Sequence, residues 1–238
     1  RMQEIFEIAD DITVLRDGQF ISSGKASDYT EKRLIKEMVG RELNNIFDRE
    51  KAETGETVLE VKNLCRNRVF QDISFSIKAG EVVGFSGLMG AGRTEIAKCI
   101  FGMDSLDSGE ILVDGKKIRI RTPNDAIKHG IVYVPEDRRL EGFIPAMSIK
   151  SNLCIPSYPN IQKLGIINRK KEEKISEQYI RELRIKTTSA NKNVMELSGG
   201  NQQKVSLGKW LALQPRVLIL DEPTRGIDVG AKAEIHKI

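Results

Sequence analysis

Apolar positions change period several times along the chain, and each change predicts an element. Ile5, Phe6, Ile8 and Ala9 recur at helical spacing and predict a short amphipathic helix. Residues 12–15 and 19–22 read as two strands about the turn Arg16-Asp17-Gly18, a hairpin signal. Residues 31–39 return to the helical period and stop at Gly40. From 41 to 56 charged residues dominate and apolar ones are few, so this stretch reads as a linker.

A second unit starts near Thr57. Strand-like patterns at 58–61 and 73–77 are followed by a turn at Ala79-Gly80. Residues 81–86 predict an apolar strand that runs into a glycine-rich loop, and 94–101 predict a helix. Residues 109–120 suggest two strands around Asp114-Gly115, and 148–195 have a long helical, lysine-rich character. The continuous apolar run 217–220 predicts a strand buried on both faces of a sheet. Strands alternating with helices predict an α/β domain with a largely parallel core.

Composition narrows the function classes. The 238 residues suffice for one large domain, or one domain and part of another. A formal charge of +4 with scattered basic residues does not call for nucleic acid, and 5% aromatic content argues against a base-stacking platform. The run Arg169-Lys170-Lys171-Glu172-Glu173-Lys174 reads as a solvated helix face. Cys65, Cys99 and Cys154 are far apart and odd in number, which predicts free thiols rather than a metal knuckle. No apolar run approaches the roughly 20 residues that span a bilayer, so a membrane role is expected to come through a partner.

Three short segments carry chemistry. Gly87-Leu88-Met89-Gly90-Ala91-Gly92-Arg93-Thr94 fits the phosphate-binding pattern G-x-x-x-x-G-K-[ST] except at Arg93. Glycines there let backbone N–H groups converge on phosphate oxygens, and the helix that follows adds its positive dipole end. Thr94 is expected to place its hydroxyl on Mg²⁺. Arg93 keeps the charge of the usual lysine but replaces a compact ammonium with a planar fork. The strand 217–220 ends in Asp221-Glu222, where Asp221 can hold Mg²⁺ and Glu222 can deprotonate a water that attacks the γ-phosphate. Ser198-Gly199-Gly200 opens an amphipathic stretch and reads locally as a helix N-cap with a flexible entry.

In this order the three segments resemble the Walker A, signature and Walker B motifs of ABC ATPases, and Asp228 in Thr224-Arg225-Gly226-Ile227-Asp228 falls at that family's D-loop. The resemblance implies an α/β P-loop NTPase cassette with a mostly parallel core sheet, an antiparallel β subdomain and a helical subdomain. It implies ATP and Mg²⁺ as cofactors, with nucleotide contacts from Gly87, Gly90, Ala91, Gly92, Arg93, Thr94 and Glu136. It also implies that two cassettes close head to tail. Ser198, Gly199 and Gly200 would then serve a nucleotide held by the opposing cassette, which Asp228 would contact.

Glu136, in Val134-Pro135-Glu136-Asp137-Arg138, stands where most cassettes carry the Q-loop glutamine. No aromatic residue lies among Arg66 to Val69, where an adenine-stacking residue would be expected. Gly-Ala-Gly-Arg-Thr at 90–94, the Glu-Asp-Arg loop at 136–138, Leu-Ser-Gly-Gly-Asn-Gln-Gln-Lys at 197–204 and Asp-Glu-Pro-Thr-Arg-Gly-Ile-Asp-Val-Gly-Ala-Lys at 221–232 resemble the second cassette of fused two-cassette ATPases serving ribose-, xylose- and galactose-type importers. Residues 1–43 then resemble the end of a first cassette, 44–56 a linker and 57–238 a second cassette, truncated, so the chain is read as a fragment. The resemblance implies transmembrane permease subunits as partners, an extracytoplasmic sugar-binding protein acting indirectly, no nucleic acid, and a peripheral place on the cytoplasmic face of the membrane. It implies an ATP hydrolase whose Arg93 site is the weaker of two. A non-transport ABC ATPase and a regulatory pseudo-cassette are the alternatives.

Overall fold

The computed structural model describes residues 2–16, 18–40, 52–88 and 90–238, and side chains other than those of Gln3 and Val39 within them. By contacts the chain forms two compact units, Arg1–Arg49 with Gly226–Ile238, and Glu50–Arg225. Most of the expected linker, residues 41–51, lies outside the described residues, as does Asp17 of the first turn. The boundaries 1–43, 44–56 and 57–238 concern the ancestry of the segments and stand as a proposal.

The smaller unit contains helix α1 (Met2–Ile8), strands β1 (Asp11–Arg16) and β2 (Gln19–Lys25), and helix α2 (Glu31–Val39). β1 and β2 pair antiparallel, as the sequence predicts. Thr30 caps α2 by accepting from Arg33 N–H, and Gly40 ends it at φ +81°, where a side chain would strain. Ile12, Val14, Tyr29 and Leu34 form the small core. The C-terminal helix of this unit is Val229–Ile235, with Ala233 and Ile235 buried.

The larger unit begins with strands β3 (Thr57–Arg66) and β4 (Phe70–Lys78), then helix α3 (Arg93–Phe101) and strands β5 (Ser108–Val113) and β6 (Lys116–Ile118). The four strands form an antiparallel sheet in the order β4-β3-β5-β6. Helix α4 (Pro123–Lys128), opened by a capping box from Thr122 and Asp125, leads into β7 (Ile131–Val134). A π-helical turn (Arg138–Gly142) precedes helices α5 (Ile149–Cys154) and α6 (Tyr158–Ile161), the two-residue strands β8 (Gln162–Lys163) and β9 (Ile166–Ile167), and helices α7 (Arg169–Glu182) and α8 (Gly199–Leu211). Strand β10 (Val217–Leu220) pairs parallel with β7, and the helix at Val229–Ile235 is α9.

Two apolar clusters organise this unit. One joins the antiparallel sheet to α3 and β7 through Leu59, Leu64, Ile100, Phe101, Ile131 and Tyr133. The other holds the helical part through Ile149, Leu153, Tyr179, Leu183, Val194 and Val205. Gly208 lies where α8 crosses that cluster. A Cβ there would meet Leu183 Cδ1 at 2.7 Å and Leu153 Cδ2 at 2.8 Å. Cys65, Cys99 and Cys154 are free thiols, as expected.

Three expectations are corrected. Residues 81–88 form no strand: they run without regular pairing, with Val82 71% and Leu88 86% exposed. An apolar strand persists only where a neighbour satisfies its backbone, and no neighbour pairs with this one among the described residues. β10 is buried only at Val217 and leaves Leu220 exposed; the strand buried throughout is β7, against which α3, α4 and α8 pack. Finally, the stretch 148–195 is not wholly helical, because the β8–β9 hairpin interrupts it.

Candidate nucleotide site

The site is assembled from the ends of elements. Beyond Gly87, Ala91 N–H donates to the Leu88 carbonyl at 3.1 Å and closes a turn into α3. Gly90 and Gly92 sit at φ +80° and +86°, a backbone shape that suits glycine and can turn successive N–H groups toward one point. Met89 lies outside the described residues. Gly92 is the N-cap of α3, so Arg93 and Thr94 occupy its first turn, where unpaired N–H groups and the dipole favour an anion.

Asp221 and Glu222 follow β10 directly. Tyr133, buried in the adjacent β7, donates its phenolic hydrogen to Asp221 Oδ2 at 2.9 Å, and Asp221 N–H donates to the Val134 carbonyl at 3.0 Å. Burial first, and the neighbouring Asp221 carboxylate second, push the Tyr133 phenol well above its ordinary pKa, so it stays a donor. Glu222 sits at φ +42°, the left-handed region that a non-glycine residue seldom occupies, and its carboxylate is half exposed.

Arg93 joins the two halves of the site. Its guanidinium lies 3.7 Å from Glu222, which places the phosphate-type loop beside the Asp-Glu pair. The other departure from the usual pattern is paired as well. Glu136 forms an ion pair with Arg225, and Arg138 donates to the Arg225 carbonyl at 3.1 Å. The loops after β7 and β10 are thus tied to each other twice.

The Ser198 turn stands apart. Ser198 is exposed at the N-cap of α8, with Gly199 half-buried and Gly200 buried behind it. The N-cap expectation is right in position and wrong in bonding. The Ser198 hydroxyl accepts from the Asn201 side chain at 2.9 Å rather than from a helix N–H. No hydrogen bond or ion pair among the described residues links Ser198, Gly199 or Gly200 to the phosphate loop. The Gln202-Gln203-Lys204 stretch is buried, and Lys204 donates to the Arg184 carbonyl at 3.1 Å. Asp228 belongs to the smaller unit, where it caps α9 by accepting from Ala231 N–H at 2.8 Å.

Tyr133, Arg138 and Arg225 were not among the sequence candidates. A phenol within the apolar run 131–134 needs a buried partner, and that signal could have found Tyr133. Nothing in the sequence pairs Arg225 with Glu136.

The donor set fits magnesium only in company with phosphate. No cluster of three His, Cys, Asp or Glu side chains able to hold a metal occurs among the described residues. Thr94 and the free oxygen of Asp221 are hard oxygen donors, and Mg²⁺ commonly takes one or two protein ligands with the remainder from phosphates and water.

Comparison with known proteins decides the family. The sequence profile of the ABC transporter family matches residues 70–225. The chain belongs to the ABC transporter family. A xylose import ATP-binding protein of Thermoanaerobacter pseudethanolicus is 50% identical over 246 residues, covering 100% of this chain and 49% of that protein. A ribose import ATP-binding protein of Caldanaerobacter subterraneus is 51% identical over 239 residues, covering 100% of this chain and 48% of its own length. The chain spans about half the length of the curated relatives it matches. Among solved structures, a component of the cbiONQ ABC transporter complex from Clostridium perfringens aligns with a TM-score of 0.62 at 25% identity, over 76% of this chain and 72% of that one. An ATP-binding cassette captured with ADP and Pi aligns at 0.61 and 22% identity, over 74% and 79%. The fold is that of an ABC cassette, a P-loop NTPase with an antiparallel sheet and a helical part.

Proposed function

We propose that this ABC chain is the nucleotide-binding part of an ATP-driven importer of simple sugars. The observation that carries the reading is the approach of Arg93 to Glu222, which joins an anion-binding helix start to an acidic pair at a strand end. The relatives' names, xylose and ribose import ATP-binding proteins, supply the substrate class.

In this reading Gly87, Gly90, Ala91, Gly92 and Arg93 cradle the phosphates of ATP, while Thr94 and Asp221 hold Mg²⁺, which would neutralise phosphate charge when bound. Tyr133 fixes one Asp221 oxygen and leaves the other free for that role. Glu222 acts as general base toward water, and Arg93 moves from its carboxylate to a phosphate oxygen, which frees the base only when nucleotide is present. Glu136, tied to Arg225, reports the state of the site to the loop that leads into the helical part. Ser198, Gly199 and Gly200 serve the nucleotide of an opposing cassette, which Asp228 contacts.

No helix among the described residues is long and apolar enough to cross a membrane. In the proposed reading transport rests on permease partners, with the chain on the cytoplasmic face, as the relatives' import names suggest. A cleft of about 940 Å³ beside the π-helical turn, lined by Ile127, Phe143, Ile144, Pro156, Lys209 and Trp210, suits a segment of such a partner. The test is phosphate release by the intact two-cassette protein with its permease in vesicles. Stimulation by a pentose or hexose is expected; a rate indifferent to sugar, permease and binding protein contradicts the importer reading. The regulatory pseudo-cassette is favoured by Arg93 and Glu136, which stand where a lysine and a glutamine are usual, and is opposed by Asp221 and Glu222.

A further inference from the structure

The β8–β9 hairpin carries three features that folding alone does not favour. Leu164, at its tip, is 95% exposed, and Ile166 is 76% exposed. Leu164 also sits at φ +51°, in the left-handed region where Gly or Asn is the usual choice for such a turn. A branched apolar residue is thus held outward in an unfavourable backbone shape, and strain of this kind points to a use. Immediately beyond, Arg169, Lys170 and Lys171 open α7 ahead of Glu172 in the same first turn, so three of its four residues are basic at the end where the helix dipole favours acids.

The hairpin is firmly mounted. Gln162 pairs with Ile167 and Lys163 with Ile166, the Asn168 N–H donates to the Ile161 carbonyl at 2.9 Å, and Ile161 is buried beneath. Asn168 then caps α7 by accepting from Lys171 N–H. Arg169 is engaged by the buried Glu172 at 2.9 Å. Among the described residues Lys163, Lys170, Lys171 and Lys174 have no ion-pair partner, and all four are exposed. The outcome is a turn with two exposed apolar side chains, with Lys163 in the same hairpin and Lys170, Lys171 and Lys174 on the helix that follows it.

We propose that the Leu164–Ile166 tip dips into the interfacial layer of an anionic lipid bilayer, with Lys163, Lys170 and Lys171 resting on its headgroups. A fluid interface can close around two exposed apolar side chains without a complementary groove. Apolar residues flanked by lysines are also the composition that binds membrane interfaces. The proposal does not depend on nucleotide chemistry, so its failure would leave the importer reading standing.

Co-sedimentation of the full chain with vesicles of 70% phosphatidylcholine and 30% phosphatidylglycerol, and with phosphatidylcholine alone, tests it. Binding is expected to the anionic vesicles and to be at least tenfold weaker to the neutral ones. Leu164→Ser with Ile166→Thr, which leaves the charge unchanged, and Lys170→Glu with Lys171→Glu should each weaken binding at least tenfold. Lys116→Glu with Arg119→Glu, an equal charge change at another exposed site, should alter it less than threefold. Melting curves accompany each variant, and the lysine pair decides should the hairpin variant prove unstable. No binding to anionic vesicles overturns the proposal. So does an equal loss in the distant charge variant, or binding that survives loss of the apolar tip in a folded chain.

Discussion

At the scale of single residues, the site is held together by side chains that sequence motifs do not name. Tyr133 fixes one oxygen of Asp221 from the floor of the sheet. Tyr133→Phe should cost about 1 kcal/mol of stability. It should also raise the Mg²⁺ concentration needed for half-maximal ATPase several-fold at little change in saturated rate; an unchanged magnesium requirement would show that Asp221 needs no anchor. Lys209 is a different case. Burial lowers its ammonium to about 8, against an ordinary value of 10.5, and its visible companion is the Trp210 ring at 4.9 Å. Below about 8 the folded chain carries the full cost of that half-buried charge. Between about 8 and 10.5 the unfolded chain binds the extra proton, so this contribution improves as pH rises. Lys209→Met should therefore stabilise the chain by about 1–2 kcal/mol at neutral pH, an advantage that fades toward pH ~10.5. Thermal melts across that range check both the sign and the window.

At the scale of elements, local chemistry was legible where the signal is local. The first hairpin, α2 with its Gly40 stop, α3 and the Asp114-Gly115 turn follow from period and turn residues alone. The β8–β9 hairpin escaped because two-residue strands have no period to read, and its turn uses Leu164-Gly165 instead of Asn-Gly. Residues 81–86 failed in the opposite way. Their composition suits a strand, but pairing is a property of the neighbour, and composition cannot report a neighbour. Close packing is likewise invisible in the sequence: Gly208 looks like a weak point in α8 until Leu153 and Leu183 are seen on either side. Gly208→Ala, favourable by helix propensity, should instead destabilise the chain by about 1–3 kcal/mol, read as a lower denaturation midpoint. A rise in the midpoint would mean the crossing is looser than described.

At the scale of the whole molecule, the order of the three motifs pointed to the family that the comparison establishes, and the proposed chemistry runs with two altered residues. Arg93 and Glu136 each find an opposite charge within the larger unit, Glu222 and Arg225 respectively. The replacements therefore belong to a set of paired charges and are not isolated losses. Among the described residues the apolar cluster of the smaller unit holds four buried residues and the main cluster of the larger unit fifteen. Amides of β1 and β2 should accordingly exchange faster than those of β7; equal protection would mean that the smaller unit draws stability from outside its own core.

In the proposed reading the Arg93 site binds MgATP and Glu222 works there as a base, slowly. The most direct measurement is ATP turnover by the intact two-cassette protein with its permease, after the first cassette's own general base has been removed. A slow residual rate is expected, falling on the order of a hundredfold with Glu222→Gln. A near-normal rate, or a slow rate that Glu222→Gln leaves unchanged, would contradict it.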